Sequence, residues 1–258
     1  MIKKFTPETL SLIALLVFIS TNSMTAAQAN LPTNLIAQYQ PPPPPSRGAP
    51  GKRGTGASRG ECLRSQTPLT ALVPSFNNSQ KDQDVWGLTT RERPTFWFYI
   101  PFARGCSTIE LVLQDDAGIP LYQIPATVPA KPGIIGVQLP ATAPALKPNR
   151  MYHWLLQAKV KPKDLEEEEL FVVDGWIQRI NPSTKLSQQL KQAPINKQAR
   201  LYAENGIWFD ALTTLAEQRL KNSQDTTIAQ DWKTLLKSVG LENFAVETLS
   251  LSDKRAMR

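Results

Sequence analysis

The chain has 258 residues, with 29 Lys plus Arg against 22 Asp plus Glu, a formal net charge of +7, 41% hydrophobic and 20% charged residues. That apolar fraction suffices for a core and no long apolar runs recur, which excludes a disordered polyelectrolyte and a multi-span membrane protein. With one histidine, His153, and only Cys62 and Cys106 as cysteines, multi-histidine and four-cysteine metal sites cannot be assembled, and most histidine-dependent acid/base chemistry goes with them.

At the amino terminus Lys3 and Lys4 precede an apolar run over residues 10–19, a polar stretch over residues 20–25 and the small-residue site Ala27-Gln28-Ala29. This is the order of a signal peptide. At roughly 1.5 Å per residue the run covers about half of a ~30 Å hydrocarbon core, so the competing reading, an uncleaved anchor, has little span to work with. Residues 1–29 are therefore read as a signal peptide and the mature chain as starting at Asn30, exported to the periplasm or beyond. Export makes a Cys62–Cys106 disulfide the default, with two separate buried thiols as the alternative.

Residues 30–67 carry Arg47, Lys52, Arg53, Arg59 and Arg64 against Glu61, a net of +4, which leaves only +2 after residue 67. A nucleic-acid partner is not indicated. The same stretch holds five consecutive prolines at residues 41–45 and then Gly48, Gly51, Gly54, Gly56 and Gly60. It reads as a flexible Pro/Gly/Arg-rich linker with a polyproline II spacer. A sharper reading puts its arginines on an anionic membrane or cell-wall surface.

Residues 68–181 read as β structure, with strands expected at 69–73, 95–100, 108–114, 120–124, 134–139, 151–160 and 170–180. Seven short segments rich in β-branched and aromatic residues, parted by turn residues, point to an antiparallel sandwich. Asp115-Asp116-Ala117-Gly118 is a turn. The strand Thr95-Phe96-Trp97-Phe98-Tyr99-Ile100 is apolar on both alternating sets and so central, although an open aromatic face would let Trp97 and Tyr99 contact a sugar or peptide. Pro148 and Tyr152, in Leu146-Lys147-Pro148-Asn149-Arg150-Met151-Tyr152, have the spacing of the tyrosine corner of immunoglobulin-like and fibronectin type III domains, in which the phenol reaches an upstream backbone group. His153 reads as an ordinary strand residue, and the Glu166 to Glu169 run as a solvated tip rather than a calcium loop.

The period changes at Pro182. A helix capped by Ser183 or Thr184 should run towards Asn205, Gly206 should break it, a second helix should span 208–220 and a third 226–239, before Gly240. Ala199, Tyr202, Gly206, Trp208, Ala211 and Leu215 look like the middle of a tetratricopeptide repeat. The fold class is thus mainly β with an α-helical C-terminus: an immunoglobulin/fibronectin III-like antiparallel sandwich, then a repeat-like helical hairpin plus a third helix over 182–241, and a tail over 242–258.

The motifs Thr70-Ala71-Leu72-Val73-Pro74, Arg93-Pro94-Thr95-Phe96-Trp97-Phe98-Tyr99-Ile100-Pro101, Tyr152-His153-Trp154, Gly175-Trp176-Ile177-Gln178-Arg179 and Tyr202-Ala203-Glu204-Asn205-Gly206-Ile207-Trp208-Phe209-Asp210-Ala211-Leu212 resemble the cyanobacterial family known as domain of unknown function 928. The resemblance implies an exported cyanobacterial protein with no assigned activity. That family commonly carries a cysteine in the strand after Tyr152-His153-Trp154, where this chain has Val160.

No catalytic set, metal site or cofactor site is evident. Two functions are expected to compete. One is a non-catalytic cell-envelope module that binds an envelope protein. The other is a carbohydrate-binding or glycan-processing module, drawing on Trp97, Tyr99 and carboxylates such as Asp115, Asp116 and Asp174.

Overall fold

A computed structural model describes residues 39–55, 62, 65–77, 82–102, 104–105, 107–161 and 167–252; the expected signal peptide, Cys106 and Glu166 lie outside them. The strands are β1 (Thr70–Ala71), β2 (Ser75–Asn77), β3 (Gln83–Thr89), β4 (Thr95–Ile100), β5 (Ser107–Gln114), β6 (Pro120–Ala126), β7 (Gly133–Gln138), β8 (Met151–Val160) and β9 (Glu169–Arg179). Helices α1 (Thr184–Gln192), α2 (Ile195–Glu204), α3 (Trp208–Lys221) and α4 (Thr226–Lys237) follow, then a 3-10 turn (Glu242–Val246) and β10 (Leu249–Leu251).

The strands form a four-stranded sheet, β1-β4-β7-β10, and a six-stranded sheet, β2-β3-β9-β8-β5-β6. Both sheets are mixed, because β3 pairs parallel with β9 and β10 parallel with β7. This corrects the antiparallel expectation. The antiparallel pairs β5–β6 and β8–β9 are sequence neighbours, whereas each parallel pair joins segments far apart in the chain, about which local turn signals are silent.

Strand β8 shows why the core sits where it does. Tyr152, Trp154, Leu156, Ala158 and Val160 are buried while the residues between them are not, the period-2 alternation of a strand with one face inward. The Trp154 ring lies 6.0 Å from Phe96 and 5.7 Å from Phe98, joining the six-stranded sheet to β4 of the other. All of β4 is buried, so it is covered on both faces. Trp97 Nε1 donates to Thr213 Oγ1 of α3 at 3.0 Å, and the Tyr99 ring lies 5.2 Å from Phe244 of the 3-10 turn. Each of these aromatics is 1% exposed. Neither offers a ring face to a ligand, and that expectation is withdrawn.

The helical end departs from expectation at one point. The expected helix from residue 183 towards Asn205 is two, α1 and α2, because Ala193 precedes Pro194 and is pushed out of the helical region, to φ −76° and ψ 136°. Ser183 caps α1 by accepting from Leu186 N–H, and Asp225 caps α4 by accepting from Thr227 and Ile228 N–H. Ala199 and Ala203 of α2 and Ala211 of α3 are fully buried where these helices pack. Trp208 is also fully buried, and its indole donates to the Leu72 carbonyl at 2.8 Å, tying α3 to the residue after β1. The expected tail over 242–258 is in part structural, since β10 completes an edge of the four-stranded sheet.

The largest difference concerns the expected linker. Tyr39 is buried, its ring edge-on to Trp208 at 5.0 Å, and Gln40 N–H donates to the Ala203 carbonyl. Residues 49–52 then enter the six-stranded sheet between the diverging ends of β3 and β9. On one side Val85 N–H donates to the Ala49 carbonyl and Gly51 N–H to the Gln83 carbonyl; on the other, Lys52 and Asp174 exchange two bonds of 3.1 and 3.0 Å. Residues 53–55 cross to the other sheet, where Ala71 N–H donates to the Arg53 carbonyl and Thr55 N–H to the Leu69 carbonyl. Composition averaged over residues 30–67 hid this. The prolines lack N–H groups, but the glycine-bearing stretch after them keeps its donors, and Gly51 fits where a Cβ would stand 2.8 Å from the Asp174 carbonyl oxygen.

Tyr152 makes the bond its spacing predicts: Lys147 N–H donates to its hydroxyl at 2.9 Å. Pro148 and Asn149 form the turn between them, with Asn149 at φ 58° and its N–H bonded to the Arg179 carbonyl. Tyr152→Phe should therefore destabilise by about 1–3 kcal/mol, the cost of leaving a part-buried N–H without its acceptor. An unchanged denaturant midpoint would show that water replaces the phenol at no loss.

Candidate functional site

The outward face of the six-stranded sheet gathers the polar and aromatic side chains that the core leaves over. Strand register places Gln114 of β5, His153 of β8 and Trp176 of β9 side by side. The His153 imidazole stacks on the Trp176 ring at 4.6 Å, and the Arg47 guanidinium lies over the same ring at 4.5 Å. His153 Nε2 is 2.8 Å from Asp174 Oδ2, and Nδ1 is 3.2 Å from Gln114 Oε1. With both ring nitrogens held, the imidazole orients Asp174, whose Oδ1 accepts from Lys52 N–H at 3.1 Å. Trp176 Nε1 donates to the Pro50 carbonyl. The cluster thus clips the N-terminal strap onto the sheet.

The carboxylates of the expected glycan-processing set are each engaged by neighbours. Asp116 pairs with Arg150 at 3.2 Å and Arg47 at 3.8 Å. Asp115 folds its own turn by accepting from Ala117 and Ile119 N–H, with Gly118 at φ 82°. Asp174 is held as above. Arg47 and Arg53 are likewise engaged, the latter donating to the Val239 carbonyl at 2.8 Å. Arg59 and Arg64 lie outside the described residues.

Beside the cluster the proline run roofs a cleft of about 660 Å³, lined among others by Pro42, Pro45, Arg47, Phe76, Asp84 and Trp86. Trp86 and Leu88 form, with Ala49, a small apolar cluster separate from the main core. Asp84, nearly buried, accepts from Ala49 N–H at 3.0 Å, so its charge is spent on the roof's anchor. No group of three metal-ligating side chains occurs among the described residues.

A second polar centre lies inside. Asp210, fully buried in the first turn of α3, accepts from Thr89 Oγ1 at 2.6 Å, Thr90 Oγ1 at 2.5 Å and Thr90 N–H at 3.1 Å, with Arg91 Nε 4.0 Å away. Burial pushes its carboxyl above the usual range, against the pull of the threonine bonds and of Arg91. Sequence reasoning passed over it, because an aspartate in a helical first turn reads as an ordinary partner of the helix dipole. It also missed the cleft, since β2 and β3 were not expected.

A family model described as Domain of Unknown Function (DUF928) matches residues 54–249. No curated protein matches the chain.

Proposed function

Because the chain belongs to the DUF928 family, whose description names no activity, its role is read from its own surface, and we propose that it is an exported cell-envelope protein that binds another protein at the proline-roofed cleft. The observation that carries this reading is the cleft itself, an open apolar concavity walled by Phe76, Trp86 and prolines. Binding is favoured over chemistry by the side chains that catalysis would need. His153, Asp115, Asp116 and Asp174 are all committed to neighbours. The glycan-binding alternative lacks an aromatic platform at Trp97 and Tyr99. At Trp176, His153 and Arg47 already lie against the ring.

The finer architectural readings stand as part of this proposal. The Tyr152–Lys147 bond supports an immunoglobulin-like sandwich, and the alanine-lined packing of α2 on α3 supports a repeat-like pair. Export rests on the signal-peptide pattern of residues 1–29. A Cys62–Cys106 disulfide fits that destination. Cys62 Sγ lies 3.7 Å from the Lys161 carbonyl oxygen, and Ser107, next in the chain to Cys106, pairs with Val160, next to Lys161. Thiol labelling of denatured, unreduced protein should accordingly find almost no free cysteine, and two labels per chain would overturn the pairing.

The binding proposal is tested with a photoreactive residue at exposed Asn77, which lines the cleft, and a control at exposed Lys237 on α4. Irradiation of intact envelopes should yield one reproducible protein adduct from the cleft position alone. Adducts to peptidoglycan or polysaccharide instead would favour the glycan alternative.

A further inference from the structure

We propose that residues 41–45 are a rigid ligand ridge, presented to a partner protein whose receptor surface is an aromatic-lined groove for polyproline. This rests on the protein-binding reading above and names the chemistry of the partner.

Each proline fixes φ near −65°, and a residue before proline is held extended, so a run of five adopts the polyproline II helix with three residues per turn. Burial follows that period. Tyr39 is buried and Pro42, Pro45 and Gly48 are half-buried, whereas Pro41, Pro43 and Pro44 are exposed. One edge of the helix is therefore set down on the protein and the other two are exposed, the edge of Pro41 and Pro44 bordering the cleft.

Both ends are fixed. At one, Tyr39 packs on Trp208 and Pro42 sits over Gly206, where a Cβ would come within 3.0 Å of Pro42 Cδ and 2.8 Å of the Gln40 carbonyl oxygen. Gly206 also has φ 72°, so this position is doubly closed to other residues. At the other end Gly48 N–H closes a turn onto the Pro45 carbonyl, Ala49 N–H is held by Asp84, and Arg47 lies on Trp176.

The ridge has a defined chemistry. Residues 41–45 carry no N–H, and among the described residues no hydrogen bond reaches the carbonyls of residues 41–44. It presents acceptors and flat pyrrolidine faces only. The complement is a surface of Trp and Tyr side chains, which offer flat apolar slots together with N–H and O–H donors. The cleft beside Pro42 and Pro45 gives room for one such side chain. Because the ridge is already extended and anchored, a partner does not have to order it, which removes an entropy cost of binding.

The test titrates the intact mature protein with isolated SH3 and WW domains as probes of an accessible polyproline ligand. At least one probe should bind saturably, with a Kd on the order of micromolar to hundreds of micromolar. The double variant Pro43→Ala, Pro44→Ala should bind at least about tenfold more weakly while melting within a few degrees of wild type, since both side chains are exposed. A failure of both probes to bind the folded protein overturns the ridge, whether or not they bind a free peptide of residues 39–48. So does equal binding by the double variant. If the Asn77 crosslink still captures a protein in either case, the cleft keeps its protein partner and only the polyproline mode falls.

Discussion

Deleting residues 39–55 is expected to abolish cooperative folding or to lower the melting temperature by roughly 10 °C or more. The strap supplies backbone bonds to β3, β9, β1 and α2, each contributing about 0.5–1.5 kcal/mol net. Burial of Tyr39 adds about 2 kcal/mol. Together these are on the order of 5–10 kcal/mol, comparable to the whole stability of an ordinary domain. At this size each kcal/mol moves the midpoint by about 2–4 °C. The physical core of the effect is the wedge at Gly51. Without it the facing ends of β3 and β9, which pair directly only from Trp86 and Trp176 onward, are left with open donors and acceptors. A point variant tests the same idea without a deletion. Gly51→Val puts a Cβ 2.8 Å from the Asp174 carbonyl oxygen and 3.0 Å from Val85 Cβ, and should cost about 1–3 kcal/mol through overpacking. A deletion variant that melts within about 3 °C of the full protein would return these residues to the status of a linker. The family match begins at Gly54, so a fragment cut to the match would lack the stretch that fills the sheet.

What the residues announced locally, the structure contains. The ends of β4 and β8 stand where the apolar runs stop, and α3 starts at Trp208, directly after the helix-breaking Gly206 and Ile207. What they did not announce depends on distant partners. Strand β3 carries Asp84 and Gly87 and is buried from Asp84 onward, so it shows neither clean alternation nor a continuous apolar run. Its identity comes from β9 and the strap on one side and from β2 on the other. The outward cluster was hidden for the same reason. His153 and Trp176 are each ordinary as strand residues, and only the β8–β9 register sets one ring against the other. Prolines misled most. A run of them excludes sheet pairing over residues 41–45, but it does not exclude docking, and the residues just beyond pair on both sides.

Asp210→Ala is expected to destabilise by about 2–5 kcal/mol, because it strips the acceptor from two donors at about 1–3 kcal/mol each. The side chain joins the end of β3 to the start of α3: it binds Thr89 and Thr90, while its own carbonyl accepts from Thr214 Oγ1 at 2.7 Å. Truncation leaves the buried Thr89 hydroxyl and the part-buried Thr90 N–H without their acceptor. Asp210→Asn keeps the shape and separates charge from packing. In the folded protein burial holds the carboxyl above its usual range, whereas in the unfolded chain it titrates near about 3.9. The folded state therefore retains a proton that the unfolded state has released. Its contribution is complete below about pH 3.9 and is lost as pH rises through the folded value, with a slope of at most about 1.4 kcal/mol per pH unit. Denaturant titrations of wild type and Asp210→Asn between pH 4 and 7 read this directly. The stability of wild type relative to the variant should fall with rising pH and then level off. A difference that grows with pH would mean that the threonines and Arg91 outweigh burial, and that Asp210 holds α3 to the sheet as a carboxylate instead of a carboxylic acid.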